Sequence, residues 1–278
     1  MLSIIILNHN DTYHTKRCLK SLQEQTFDNF EIILVENGSN ESFKNELYNF
    51  LKSNQLKNQF MDKIKIIDSK ENLGFPGGVN LGIKNSRGDL LLMLNNDTIH
   101  ESSFLETMVE FFEKYDFIHI AQPKICYFNN KNTVWQNGGK INKFSFNLFR
   151  PIDSMKKEID VRKKPFKIDF AVGCALFIRR DIIKKIGLLE KIYFLYCDDP
   201  DLCYRASLKG YKNIYCNPKT KIYHNIKSGL PNGFKKFCFR NRMIFCLKYF
   251  SIPLIIWQFF IQFIHLFILT IDFKKKSN

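Results

Sequence analysis

Acid is in short supply in this chain of 278 residues: 27 Asp and Glu face 42 Lys and Arg, a net charge of +15 at pH 7. The shortage is sharpest over residues 219–278, which hold eleven Lys or Arg and one acid, Asp272. Such a segment points to an anionic partner, either a membrane surface or a phosphate-bearing substrate. None of the eight cysteines stands in C-x-x-C spacing, so a zinc site lacks its paired ligands. Cys174, Cys197, Cys203, Cys238 and Cys246 fall in apolar or helical stretches and read as reduced, packed thiols of a cytoplasmic chain. The opening MLSIIILNHN has no basic n-region and too short an apolar run for a signal peptide. Its first loop also lacks glycine, which excludes the G-x-G-x-x-G turn of a dinucleotide-binding dehydrogenase. No internal repeat is visible, and nothing resembles a nucleic-acid-binding module.

What is present alternates. Apolar runs at 2–7, 30–39, 63–68, 89–97 and near 118–122 predict strands. Helical spacing predicts helices at 11–25, with Asp11 or Thr12 as N-cap, near 41–53, and near 101–115. A Gly-rich loop at 72–88 enters a helix. Strands separated by helices imply βαβ units around a mainly parallel sheet, an α/β architecture. Residues 124–168 are polar, aromatic and basic, and predict a loose excursion carrying strands. Beyond it lie a strand–helix unit at 169–187, a helix at 198–210 that starts on Asp and ends on Gly, and two short strands near 212–216 and 220–224.

The C-terminal stretch FSIPLIIWQFFIQFIHLFILTI, residues 250–271, carries no charge, and Lys274-Lys275-Lys276 follows. Its length suffices for a membrane span. However, Ser251, Gln258, Gln262 and His265 form a polar stripe, which suits a helix lying in the membrane interface or packed on another helix. The segment GFKKFCFRNRMIFCLKYF, residues 233–250, mixes Lys and Arg with Phe and reads as a membrane-facing helix or acceptor channel. The expected division is a domain over 1–228, in one half to about 122 and another from about 123, and a membrane-associating tail over 229–278.

Three strands end in polar residues: Asn8-His9-Asn10, Glu36-Asn37-Gly38-Ser39 and Asn95-Asn96-Asp97. Any one of these is accounted for as a turn. All three, with the glycines at 74–78, form a constellation for one polar ligand, because open parallel sheets bind ligands beyond the carboxyl ends of their strands. One carboxylate and two amides at the end of the fourth strand suit a hard cation.

The stretches SIIILNHN, EIILVENGS, ENLGFPGGVNLGI and LLLMLNNDT, in this order, resemble glycosyltransferase family 2, the inverting GT-A enzymes. AVGCALFIRRDIIKKIGLL, YFLYCDDPDLCYRASLKGY and IYH extend the resemblance over roughly 2–245. It is greatest to the rhamnosyltransferase-like branch that builds surface polysaccharides. It implies a GT-A fold and a nucleotide-sugar donor, dTDP-rhamnose or a UDP-sugar. It also implies a saccharide acceptor, lipid-linked, on the cytoplasmic face of the inner membrane. Glu36, with Asn37 beside it, matches the acid that contacts the nucleotide, although Glu stands where Asp is usual. Asn8 and Asn10 would line the same pocket. Asn72, Gly74, Phe75 and Asn80 resemble the loop beside the nucleotide sugar. Asn95-Asn96-Asp97 sits where the family has D-x-D, so Asp97 would carry most of the coordination of Mg²⁺ or Mn²⁺ on the diphosphate. His224 matches a histidine near that metal.

The segment CDDPDLCYR resembles the family's E-D-x-D. It implies Asp199 as the base for the acceptor hydroxyl, with Asp198 and Asp201 as its acidic neighbours. Arg205, one turn beyond Asp201, would pair with it or meet a phosphate. Clustered carboxylates raise one another's pKa, which suits a base near neutral pH. As an isolated feature, three acids at a helix start would only favour the helix dipole. The altered metal motif keeps a second reading open, a membrane-tethered nucleotide-sugar-binding protein with weakened turnover.

Overall fold

The computed structural model describes residues 1–53, 55–226 and 234–276, and the side chains of all of these but 234–236 and 265–276. The expected boundary at 228–229 and the side chains of His265 and Lys274–Lys276 lie outside that description. In chain order the elements are β1 (Leu2–Asn8), α1 (Thr12–Gln23), β2 (Phe30–Asn37), α2 (Glu41–Lys52), α3 (Asn58–Met61), β3 (Ile64–Ser69), α4 (Gly74–Lys84), β4 (Leu90–Asn95), β5 (Thr98–His100) and α5 (Phe104–Lys114). There follow β6 (Ile120–Tyr127), β7 (Val134–Gln136), β8 (Gly139–Ile141), β9 (Phe149–Pro151), β10 (Phe166–Lys167), β11 (Ala175–Arg179), α6 (Arg180–Ile186), α7 (Asp198–Leu208), β12 (Ile214–His224), α8 (Phe234–Tyr249) and α9 (Ile252–Lys276).

The main sheet runs β10-β12-β6-β11-β4-β1-β2-β3. Strands β1, β2, β3 and β4 are parallel, as the βαβ pattern requires. Burial of the central strands explains their near-continuous apolar runs: Ile4, Ile5, Ile6, Ile32, Ile33 and Leu34 have essentially no exposure. Each such side chain contributes about 1.5–3 kcal/mol. The register aligns Asn8 with Glu36 and Leu7 with Asn95, so the polar strand ends fall along one edge.

The second half of the chain breaks the parallel order. β11 enters antiparallel between β4 and β6, pairing Ala175 with Leu94. Its first residues therefore lie beside the last residues of β4, and the turn 171–174 that precedes it reaches the same edge. The two short strands expected near 212–216 and 220–224 are one strand, β12, bulged between Asn217 and Lys221. A two-residue pattern interrupted by a bulge reads locally as two strands. β12 pairs with β5, and this sets His224 opposite Thr98, one residue past Asp97.

The glycines of 74–82 belong to helix α4 rather than to a loop. A Cβ on Gly82 would lie 2.4 Å from Cγ2 of Ile5, and one on Gly78 would lie 2.7 Å from Cδ2 of Leu7. They are small so that α4 can press on β1. All eight cysteines are free thiols, seven of them buried.

The C-terminal helices are joined to the catalytic half. Phe245, Cys246 and Phe250 form a small core with Leu148, flanked by Tyr204 and Tyr249. On α9, the Gln258 and Gln262 amides are buried and donate to the carbonyls of Lys143, Ser145 and Phe146. Gln258 and Gln262 of the expected stripe thus face the protein, whereas Ser251, Ile252, Ile256, Trp257, Phe259, Phe260 and Phe263 are exposed. Among the described residues no helix is long and apolar enough to cross a membrane.

Candidate active site

The carboxyl edge of the parallel strands gathers most of the expected residues, in two layers. The inner layer is scaffold. Glu36 is fully buried: Asn8 donates to its Oε2 at 2.5 Å, and the Ser39 backbone N–H donates to its Oε1 at 2.8 Å. Asn8 in turn accepts from the Thr15 hydroxyl at 2.7 Å. Asn37 is buried and holds the 72–74 turn, accepting from Leu73 N–H and donating to Asn72 Oδ1 and the Gly74 carbonyl. The pair Asn8–Glu36 therefore braces the loops after β1 and β2, and the Glu36 carboxylate folds inward. The extra methylene of Glu over Asp lets it reach the Ser39 amide.

Nearer solvent stand Asn10, Asn72 and His9. Asn10 has a left-handed backbone, φ 51°, and accepts from Asn40 N–H. Exposed His9 lies with Nδ1 3.0 Å from the Asn37 carbonyl and Nε2 3.1 Å from the Asn72 amide. His9 was overlooked in sequence, where it read as one polar residue of a strand end. Nothing in one sequence marks which residue of such an end faces outward.

Two expected ligand contacts are structural ties instead. The Asn80 amide donates to the Leu189 carbonyl at 2.8 Å and accepts Leu189 N–H at 3.0 Å, buried on both sides. Asn96 donates to the Thr15 hydroxyl and the Asp11 carbonyl, which fastens the end of β4 to α1. The Asn95 side chain makes no hydrogen bond among the described residues, while its backbone N–H donates to the Cys174 carbonyl.

Asp97 follows directly. Its Oδ1 is buried without a hydrogen bond among the described residues and lies 3.1 Å from Nε2 of His224. Burial alone would push the His224 imidazole down, but the Cys174 sulfur and the Asp97 carboxylate outweigh it and hold the imidazole at about 10. The pair therefore retains a proton where a cation of higher charge would also fit. Among the described residues no group of three or more His, Cys, Asp or Glu is placed to hold a metal ion. A divalent cation here would take Asp97 and His224 from the protein and complete its shell from phosphate and water, as hard cations on nucleotides do. Trp135 packs edge-on to His224, ring centroids 4.5 Å apart, and fixes the imidazole plane.

The third group is the start of α7. Asp199 is half-buried, and its Oδ2 accepts the Gly173 N–H at 3.0 Å. Burial raises its carboxyl from 3.8 to about 6 against the pull of that N–H. Asp198 is buried, its Oδ2 has no hydrogen-bond partner among the described residues, and burial and the Asp199 charge push its carboxyl well above the ordinary carboxylate range. The turn 171–174 links the groups: Gly173 holds Asp199, and Cys174 meets both Asn95 and His224. A Cβ on Gly173 would stand 3.2 Å from the Phe75 ring, so Phe75 also borders this turn.

Asp201 and Arg205 lie elsewhere. Asp201 is fully buried and accepts from Tyr193, Arg205, Lys248 and Tyr249. Arg205 also donates to the carbonyls of Ile186 and Leu188. The i to i+4 spacing made the Asp201–Arg205 pair legible, but not its burial under α8. These two hold the helix, and neither faces the cleft.

The chain is similar in sequence and in fold to known proteins. Over 209 residues the chain is 28% identical to an uncharacterized glycosyltransferase of Rickettsia typhi, covering 74% of this chain and 58% of that protein. It is 24% identical to a low-salt glycan biosynthesis hexosyltransferase of Haloferax volcanii, covering 80% and 67%. The chain thus spans about three fifths to two thirds of these relatives. Among solved structures, GalNAc-T7 with UDP, GalNAc and Mn2+ shares the fold at a TM-score of 0.66 and 17% identity, over 87% of this chain and 47% of that one. The family model for glycosyl transferase family 2 matches residues 3–187, and the chain belongs to that family.

Proposed function

We propose that the protein is an inverting glycosyltransferase that moves a sugar from a nucleotide-diphosphate sugar, dTDP-rhamnose or a UDP-sugar, to a hydroxyl of a lipid-linked saccharide. The observation that carries this reading is the turn 171–174, whose Gly173 N–H holds the Asp199 carboxylate and whose Cys174 carbonyl accepts the N–H of Asn95, two residues before the Asp97 that pairs with His224.

On this reading Asp199 takes the acceptor hydroxyl's proton as the oxygen attacks C1. The new C–O bond forms on one face of the sugar while the bond from C1 to the diphosphate oxygen breaks on the other. A base with a pKa near the working pH is ionised often enough to act and basic enough to accept. Gly173 N–H orients Oδ2. A divalent cation held by Asp97 and His224 would neutralise charge on the departing diphosphate. His9, Asn10 and Asn72 are the outward groups for the nucleotide.

The test is thermal unfolding with UDP-, dTDP- and GDP-sugars, with and without Mn²⁺. A ligand that binds only the native state raises its apparent stability. A shift from one nucleotide, enlarged by Mn²⁺ and accompanied by transfer to an acceptor, is the expected result. A shift without transfer would favour a binding protein. For Asp97→Ala, the Mn²⁺ concentration giving half the metal-dependent shift should rise at least tenfold; an unchanged midpoint would remove Asp97 from the metal.

The proposal extends to a membrane surface. The exposed face of α9 is apolar, Gln258 and Gln262 are taken up by the 143–146 carbonyls, and the surrounding segment is basic. An apolar helix face beside Lys and Arg suits insertion at an anionic interface. Phe260→Glu with Phe263→Glu should shift the protein from pellet to supernatant when sedimented with anionic vesicles. Unchanged pelleting would sink the anchor.

A further inference from the structure

Helix α8 packs on the turn that precedes α7. Asn241 is fully buried, and its amide nitrogen donates to the carbonyls of Tyr193, Leu195 and Tyr196 at 2.8, 2.7 and 3.0 Å. Those carbonyls belong to the turn that delivers α7. In that turn Phe194, Tyr196 and Cys197 all have positive φ, 60°, 67° and 69°. Non-glycine residues there cost about 1–2 kcal/mol each, so three within four positions persist only if the surroundings impose them. Asn241 is the group that meets the carbonyls this unusual path turns inward. On the same helix Arg240 donates to the Ile192 carbonyl, and Phe237 stacks on Phe194.

The turn serves two sides of the site. At its far end Cys197 precedes Asp198 and Asp199, and its carbonyl accepts the Asp201 N–H of the first turn of α7. At its near end the Phe194 carbonyl accepts the Phe75 N–H at 2.7 Å. A Cβ on Gly74 would meet that same carbonyl at 2.4 Å, which explains glycine there.

We propose that Asn241 is a positioning residue for the reaction: from α8 it locks the 193–197 turn, and so sets Asp199 and the Gly74–Phe75 segment relative to one another. The inference rests on the transferase reading with Asp199 as base. Asn241 touches no reacting atom. Its loss should leave nucleotide binding in place and degrade the alignment that chemistry needs, where a misplacement of about 1 Å costs on the order of 10²-fold.

The experiment compares full-length wild type, Asn241→Ala, Asn241→Ser and Asp199→Asn in one transfer assay, with nucleotide affinity measured by calorimetry on the same samples. Asn241→Ala is expected to lower kcat about 10²-fold with nucleotide Kd within threefold of wild type. Asn241→Ser, which keeps one donor, should fall between. It also carries the test where the alanine variant does not fold. If Asp199→Asn is inactive while the folded Asn241 variants keep kcat within threefold, positioning by Asn241 is overturned and the base reading stands. If nucleotide Kd weakens in proportion to kcat, Asn241 supports the fold generally and the proposal fails. If Asp199→Asn remains active, the base reading itself has failed, and the positioning inference with it.

Discussion

Asp199→Asn should abolish transfer and, at pH 8, unfold at a higher temperature than wild type. Both effects come from one feature, a carboxylate placed where burial disfavours its charge. On the proposed reading the substitution removes the group that takes the acceptor's proton, and general-base assistance contributes about 10²–10⁴-fold. The stability change follows from linkage. Asp199 titrates at about 6 in the folded protein against 3.8 ordinarily. A group with a raised folded pKa favours the native state below its ordinary pKa, and that contribution is lost as pH rises through the folded value. The wild type therefore carries an ionised, poorly solvated carboxylate at pH 8. Asn keeps an oxygen for the Gly173 N–H and carries no charge, a gain of about 1–3 kcal/mol. The gain should shrink as pH falls from 6 toward 4. Activity of the wild type should rise with pH through about 6. Melting curves and kcat/KM measured from pH 4 to 8 read both; a variant that is inactive but no more stable at pH 8 would mean that Asp199 is well solvated.

Asp201→Ala should do the reverse: a loss of about 3–5 kcal/mol, with nucleotide affinity retained by whatever fraction stays folded. Removing one partner of a buried charge network leaves the others uncompensated. Here Arg205 would lose its counter-charge, Lys248 would keep only Glu190, and the Tyr193 and Tyr249 hydroxyls would lose their acceptor. Burial pushes the Asp201 carboxyl up, but Tyr249, Lys248 and Arg205 together hold it below its ordinary value. Its contribution is therefore present above the ordinary carboxylate range and is lost as pH falls through the lowered value. The difference between wild type and variant should be largest at neutral pH and fade in acid. Urea denaturation at pH 7.5 and 4 measures it. A change under 1 kcal/mol at pH 7.5 would show that α8 is held without this network.

The two aspartates, two residues apart in CDDPDLCYR, show where sequence reading ends. Spacing alone sets them on one helical turn, and the acids at the helix start are legible. Which one faces the cleft depends on what covers the other. Asp201 is covered by Tyr193, before the helix, and by Lys248 and Tyr249, more than forty residues beyond it. The same holds for Asn80, whose amide is taken up by Leu189, 109 residues away.

Local pattern determined the strands β1 to β4, the helices between them and the polar strand ends, because periodicity and parallel register depend on neighbours in sequence or in the next βαβ unit. The α/β class and family membership followed from those stretches and their order. Tertiary structure decided the rest. The antiparallel entry of β11 brought the 171–174 turn to the edge where Asp97 lies. The pairing of β12 with β5 set His224 against Asp97. The packing of α8 on the turn before α7 set Asn241 against the carbonyls of Tyr193, Leu195 and Tyr196. Each depends on contacts between segments far apart along the chain, and hydrophobic periodicity within a segment carries no record of which distant segment will meet it.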